Sequence, residues 1–256
     1  MDEPQRYKSD DYAKEVQRFI FPIYYKDSLG NIHFSSTMTF VTYENQYFCL
    51  LAYHSLPKGQ KNIDGLGYFV TEGDFIELEN DVTSYDICQE HDMVTCLLKE
   101  KYTDKNFFQL DVESVKQESV SWAGFPQKKA VTQYHRSKDL KQEIEQSLSS
   151  KEDGIPFSSI ANFLIANGEL KLTSKTIVSV GIENKNVTYR NEGFKKQAYS
   201  FRGMSGGAIF VRSISRDPAT IENNFVGIGL SYRKNTLEGV SKSKVTDVIK
   251  GLLQKR

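Results

Sequence analysis

An antiparallel all-β fold, a barrel or a sandwich, is predicted by three features of this sequence. From Phe19 onward, for about a hundred residues, short stretches rich in β-branched and aromatic residues follow one another closely with almost no helical periodicity. Turn residues punctuate them, at Asp27-Ser28-Leu29-Gly30-Asn31, at Glu44-Asn45 and in the polar segment Gly59 to Gly67. The apolar runs, such as Met93-Val94-Thr95-Cys96-Leu97-Leu98, have the length of buried strands rather than of helices.

Taken in order, residues 1 to 14 are polar, and Asp10 to Phe19 predicts a short helix leading into the fold. Phe19 to Tyr25 and Ile32 to Val41 form one predicted hairpin; Thr37 to Tyr43 and Gln46 to Ala52 form a second around Glu44-Asn45. Tyr68-Phe69-Val70 and Phe75-Ile76-Glu77-Leu78 are short strands, and Asp92 heads the buried strand Met93 to Leu98. The charged stretch Lys99 to Glu118 reads as a crossing linker, and Ser119 to Pro126 opens a second β region. Leu140, Ile144 and Leu148 recur every four residues, which predicts a short surface helix inserted over Lys138 to Ser150. Strands resume through Lys171 to Thr173, Thr176 to Val180, Val187 to Tyr189, Ala208 to Val211 and Phe225 to Leu230. An amphipathic helix over Lys242 to Leu253 closes the chain, with Val245, Val248, Ile249 and Leu252 on one face. The expected division is an N-terminal segment 1–18, a first β unit 19–110 and a second 111–256 with the C-terminal helix.

Composition excludes several classes. With 256 residues, 39% hydrophobic and 26% charged, the chain is an ordinary globular sequence able to bury a sizeable core. Lys plus Arg and Asp plus Glu are 33 each, so no net field favours nucleic acid or an anionic membrane. Met1 to Tyr25 lacks the basic-then-apolar order of a secretory leader, and no apolar run approaches the ~20 residues that span a bilayer. Cys49, Cys88 and Cys96 are odd in number and lie in or beside apolar segments, which predicts buried free thiols and a reducing compartment. The expectation is a cytoplasmic protein, with no nucleic-acid and no membrane partner.

Chemistry concentrates in Phe201-Arg202-Gly203-Met204-Ser205-Gly206-Gly207-Ala208-Ile209-Phe210. Three glycines around one serine predict a tight turn that holds Ser205 forward with neighbouring N–H groups free, as a nucleophile beside an oxyanion hole requires. A glycine-rich β-turn with an incidental serine is the bland alternative. A serine hydroxyl needs a histidine to take its proton and a carboxylate to orient that histidine. All four histidines, His33, His54, His91 and His135, precede Ser205, which removes the α/β-hydrolase order and leaves His, acid, Ser. His54 sits at a strand-to-loop transition and is the preferred base; His33, His91 and His135 read as structural or surface residues. For the acid, Asp92 is favoured over Asp74, Asp81 and Asp86, because a carboxylate heading a buried strand is costly unless paired.

These residues resemble the trypsin-like (chymotrypsin-fold) serine peptidases, and more closely their disulfide-free bacterial and viral branches. Leu51-Ala52-Tyr53-His54-Ser55-Leu56, after Thr39-Phe40-Val41, is similar to the histidine segment of that family. Asp92 to Leu98 resembles its aspartate and buried strand, and Gly203-Met204-Ser205-Gly206-Gly207-Ala208 its Gly-x-Ser-Gly-Gly-Pro, with Ala208 for proline. Ala123-Gly124-Phe125-Pro126 and Val226-Gly227-Ile228-Gly229 are further echoes. The resemblance implies two antiparallel six-stranded β-barrels with the site between them. His54 would be general base, Asp92 its orienting acid and Ser205 the nucleophile, with the Gly203 and Ser205 N–H groups as oxyanion hole. It implies a protein or peptide substrate, no cofactor and no metal, and leaves room for a regulatory protein partner.

Departures carry expectations of their own. Met204 stands where zymogen-type members have an aspartate that pairs with a freed N-terminus, so activation by that route is not expected. Tyr53 is bulkier than the small residue usual beside the histidine. Tyr199, six before the serine, corresponds to the base of the primary pocket, with Leu230-Ser231-Tyr232 as its wall. Without an acid there, no preference for Lys or Arg is expected. Two other readings remain open: a catalytically silent trypsin-fold interaction module, and an unrelated β protein in which three coincidences fall in the right order.

Overall fold

A computed structural model describes residues 15–69, 75–102, 105–113, 118–127, 151–152, 155–156, 164–182, 188–191, 194–197, 200–214 and 221–255. The architecture is mostly β: a curled sheet, a closed six-stranded barrel and a C-terminal helix, compatible with a chymotrypsin-like fold.

The first hairpin pairs β1 (Ile20–Lys26) with β2 (Ile32–Tyr43), and β2 turns into β3 (Gln46–Ala52) through Glu44 and Asn45. Both turn residues have positive φ, 49° and 58°, the backbone that matches strand twist in a two-residue hairpin. β4 (Leu66–Phe69), β5 (Phe75–Glu77), β6 (Val82–Cys88) and β7 (Met93–Leu98) complete the path β5-β4-β1-β2-β3-β7-β6. The class is as expected, but this half is an eight-stranded curled sheet rather than a closed six-stranded barrel. The ends of the path, β5 and β6, are consecutive in the chain and joined by a 3-10 turn at Leu78–Asn80. A connection that short brings the end of β5 close to the start of β6, so the sheet curls.

Side chains tie the chain together near that turn. The Tyr68 and Tyr102 hydroxyls both donate to Asp81 Oδ2, and burial together with the neighbouring acidic groups pushes both phenols up from their ordinary values. Cys49 and Cys96 face each other across β3 and β7 as buried free thiols, and burial beside its neighbour raises the Cys49 thiol well above its ordinary range.

The expected linker is more than a linker. Within it, β8 (Phe108–Gln109) pairs in parallel with β2. Phe108 is buried, with ring centroids 5.7 Å from Phe210 and 5.4 Å from Phe225, so it packs between the two halves.

The barrel comprises β9 (Ser119–Gly124), β12 (Leu164–Thr173), β13 (Ile177–Gly181), β16 (Gly207–Ile214), β17 (Ile221–Arg233) and β18 (Thr236–Ser241). Two small hairpins, β10 (Lys151–Glu152) with β11 (Ile155–Pro156) and β14 (Thr188–Asn191) with β15 (Phe194–Gln197), lie outside its hydrogen-bonded ring, and β14 packs against β12. Helix α1 (Lys242–Gln254) starts where the Ser241 hydroxyl accepts the Lys244 N–H, a side-chain N-cap. Its buried Val245, Ile249 and Leu252 contribute roughly 1.5–3 kcal/mol each by leaving water. The helix also packs on β6 of the first sheet, where Lys255 Nζ pairs with Asp86 at 2.6 Å. Among the described residues no helix is long and apolar enough to cross a membrane. Of the expected leading helix, residues 15–17 are helical; the Lys138 to Ser150 insertion, His135, Asp74 and Tyr199 lie outside the described residues.

The β1–β2 turn offers one prediction. Asp27 accepts N–H bonds from Leu29 and Asn31 and pairs with His33 Nε2 at 2.9 Å, and these bonds, that with His33 foremost, hold its carboxyl well below the ordinary carboxylate value of about 3.9. A depressed folded value means that its stabilisation is complete above pH ~3.9 and is lost only as pH falls through the lower folded value. Carboxyl NMR titration is expected to find Asp27 still ionised where free aspartate is protonated; a midpoint near 3.9 would contradict these contacts.

Candidate active site

The histidine turn and the aspartate are built as one unit. His54 lies in a 3-10 turn, Tyr53–Ser55, directly after β3, and Asp92 follows a second such turn, Gln89–His91, directly before β7. β3 and β7 are paired from Ala52 and Met93 inward, so the two turns emerge side by side at one end of the sheet. Asp92 is not extended, as a strand head would be. It takes the left-handed backbone, φ 50° and ψ 42°, which a short polar side chain tolerates better than most.

That conformation lets Asp92 hold the turn three ways. Its carbonyl accepts the Tyr53 N–H at 2.9 Å, Oδ1 accepts the His54 N–H at 2.8 Å, and Oδ2 lies 2.5 Å from His54 Nδ1. A carboxylate can only accept there, so Nδ1 carries the proton and Nε2 keeps its lone pair. The imidazole is half exposed. Tyr53 packs into the first core, and its hydroxyl accepts from Gln89 at 3.1 Å, which places its bulk away from the histidine's bonds.

The serine loop is defined by where each peptide group's hydrogen bonds go. The Arg202 carbonyl accepts Gln127 N–H at 2.6 Å; that of Gly203 accepts the Thr37 hydroxyl at 3.1 Å; that of Met204 accepts Gly207 N–H at 2.9 Å. The Ser205 carbonyl accepts Thr37 N–H at 3.1 Å, and that of Gly206 accepts the Thr39 hydroxyl at 2.6 Å. Among the N–H groups, Met204 donates to Phe201, Gly206 to Gly229 and Gly207 to Met204. All five carbonyls are engaged. The N–H groups of Gly203 and Ser205 are the two in this run without an acceptor among the described residues. Gly203 has φ +96°, and a Cβ there would lie 2.8 Å from the Phe34 ring and from Gln127 N, so glycine is required twice over.

Ser205 Oγ donates to the Leu230 carbonyl at 2.8 Å, and no hydrogen bond joins it to His54. Met204 is fully buried in the barrel core with Trp122 and Phe201. Of the residues expected as a pocket wall, Leu230 takes the Ser205 hydroxyl, and the Tyr232 ring lies 4.5 Å from Phe201, which lies 5.3 Å from Trp122. The Tyr232 hydroxyl is tied to Ile182 O at 2.9 Å and Asn235 Oδ1 at 3.1 Å, and burial raises its ionisation above the ordinary value. Ser231 is exposed.

His33, paired with Asp27, and Asp81 and Asp86, engaged elsewhere, stand apart from this cluster. Sequence reasoning missed Thr37 and Thr39. The available signal was a hydroxyl at alternate positions, Ser35, Thr37 and Thr39, along a strand otherwise apolar enough to be buried. Among the described residues no group of three His, Cys, Asp or Glu is placed to hold a metal ion.

No protein-family model matches the chain, and no curated protein does. Solved structures do match. One comes from work on aromatic interactions driving the coupled folding and binding of the intrinsically disordered Sesbania mosaic virus VPg protein. It is 10% identical with a TM-score of 0.45, over 90% of this chain and 95% of that one. A likeness of that size says nothing about what this chain does.

Proposed function

We propose that this chain is a trypsin-like serine endopeptidase that hydrolyses peptide bonds through His54, Asp92 and Ser205. The observation that carries the reading is the pair of unengaged N–H groups, Gly203 and Ser205, in a loop whose every carbonyl is engaged. Among the described residues two donors, on either side of one residue and next to a hydroxyl, have no acceptor, and preorganised donors of this kind stabilise a developing oxyanion.

In the proposed reaction His54 Nε2 takes the proton from Ser205 Oγ as Oγ bonds to the substrate carbonyl carbon. The carbonyl oxygen becomes the oxyanion, received by the Gly203 and Ser205 N–H groups. Collapse breaks the C–N bond, the amine leaves with the proton held by His54, and water repeats the sequence to free the acid and Ser205. Asp92 fixes the tautomer and supports the imidazolium. The Ser205 hydroxyl has first to turn from Leu230 to His54. That exchange gives up one neutral hydrogen bond, about 0.5–1.5 kcal/mol, a population factor of about two to thirteen rather than a block. Met204 cannot form an N-terminal ion pair, so activation by that route is not proposed, and Tyr199 rather than an acid at the position of the pocket base favours a substrate residue other than Lys or Arg. The three free cysteines support a cytoplasmic setting.

The Ser205–Leu230 bond is the one observation that favours the second reading, a catalytically silent interaction module. A fluorophosphonate probe decides between them. Wild type is expected to be labelled at Ser205, Ser205→Ala not at all, and His54→Ala at least about 100-fold more slowly. Unlabelled wild type would favour the silent module, and labelling that survives Ser205→Ala would move the nucleophile elsewhere.

A further inference from the structure

Strand β2, in the first sheet, reaches into both parts of the site. Thr37 and Thr39 are two residues apart, on one face of the strand, and both are fully buried. A buried hydroxyl is costly unless bonded, and packing alone would be served as well by valine. Both hydroxyls instead cross to the serine loop: Thr37 Oγ1 donates to the Gly203 carbonyl while accepting the Phe125 N–H at 2.9 Å, and Thr39 Oγ1 donates to the Gly206 carbonyl. Two places earlier a β-bulge inserts Ser35, since Ile23 pairs with Ser36 and Tyr24 with Phe34. Bulges re-aim side chains. Ser35 Oγ donates at 2.5 Å to the Ser55 carbonyl, next to His54.

We propose that Ser35, Thr37 and Thr39 are positioning residues, a hydroxyl ladder on β2 that sets the serine loop and the histidine turn against each other. The catalytic consequence rests on the hydrolase reading above. The loop needs such support because Gly203 and Gly206, at φ +96° and +84°, leave its backbone underdetermined by its own sterics. Gly203 C=O and Ser205 N–H belong to adjacent peptide groups, so releasing that carbonyl lets the neighbouring donor swing. The ladder therefore holds the donors by holding the carbonyls between and beyond them.

The test compares wild type with Thr37→Val, Thr37→Ser and Thr39→Val. Thr42→Val is the control, because that hydroxyl bonds Gln46 O within its own hairpin. The readouts are the second-order rate of fluorophosphonate labelling, the melting temperature, and the amide NMR signals of Gly203 and Ser205. Thr37→Val is expected to slow labelling about 10- to 100-fold, while Thr37→Ser stays within about threefold and Thr42→Val is unchanged. The Gly203 and Ser205 signals are expected to move in Thr37→Val and not in Thr42→Val. A wild-type rate in Thr37→Val, or an equal slowing in Thr37→Ser, overturns the proposal. Should Thr37→Val not fold, Thr39→Val decides, with about three- to tenfold slowing expected and a wild-type rate overturning it. If wild type is not labelled at all, the hydrolase reading fails and the amide signals decide alone: moved in the folded valine variant, the ladder stands; unmoved, it falls.

Discussion

Asp92→Asn is expected to lower turnover of an activated ester, and labelling of Ser205, by roughly 10³- to 10⁴-fold while the protein stays folded. The reason lies in the double grip on His54, whose N–H bonds Oδ1 and whose Nδ1 faces Oδ2. An asparagine oxygen can keep the first bond, but its NH2 then faces Nδ1 and makes that nitrogen the acceptor. The proton moves to Nε2, which can no longer take one from Ser205. Turning the amide over restores the tautomer and loses the main-chain bond. Either way one charge-assisted bond is lost, about 1.5–3 kcal/mol, far less than typical domain stability. A variant within tenfold of the wild-type rate would show that Asp92 does not orient the base.

Gly206→Ala is expected to cost about 3 kcal/mol or more, lowering the melting temperature by roughly 10 °C, and to abolish labelling. An added Cβ would lie 2.2 Å from the Thr37 carbonyl oxygen, 3.1 Å from Ala52 N and 3.4 Å from Leu51 Cα. These are main-chain atoms of β2 and β3, in the interior of the first sheet's strand order, and they cannot step aside as a side-chain tip would. Gly30→Ala separates the two contributions: it has the same φ of +84° but nothing within 4 Å, so it carries only the backbone strain, about 1–2 kcal/mol. Equal melting temperatures for the two variants would mean that the serine loop does not press against the first sheet.

The features readable in advance are those that local chemistry imposes. Glu44-Asn45 announced a hairpin because few residues tolerate its positive φ, and the face of α1 followed from helical spacing. Ser205 stood out because three glycines crowd around it, as they also do in an ordinary turn, and the position of every histidine before it selected an order of roles. The departures have a common origin. β8 lay hidden in a charged stretch because two residues give no period. Asp92 read as a strand head because nothing in Asp92-Met93-Val94 reveals a left-handed backbone, and the rolled first sheet depends on how its edge strands are joined. Thr37 and Thr39 were read as ordinary strand residues, since threonine suits a strand whether or not its hydroxyl has work elsewhere.

By itself, then, the sequence determined the β class, the C-terminal helix, and which three side chains to examine for nucleophile, base and acid, because residue type, spacing and order in the chain carry that information. Only the tertiary structure decided that His54 and Asp92 meet at 2.5 Å, that Ser205 rests on Leu230, and that the Gly203 and Ser205 N–H groups are the two of their run left without acceptors among the described residues. The Gly203 and Gly206 carbonyls of that loop are paired by hydroxyls brought from Thr37 and Thr39, some 165 residues away in the chain, and no local pattern records that meeting.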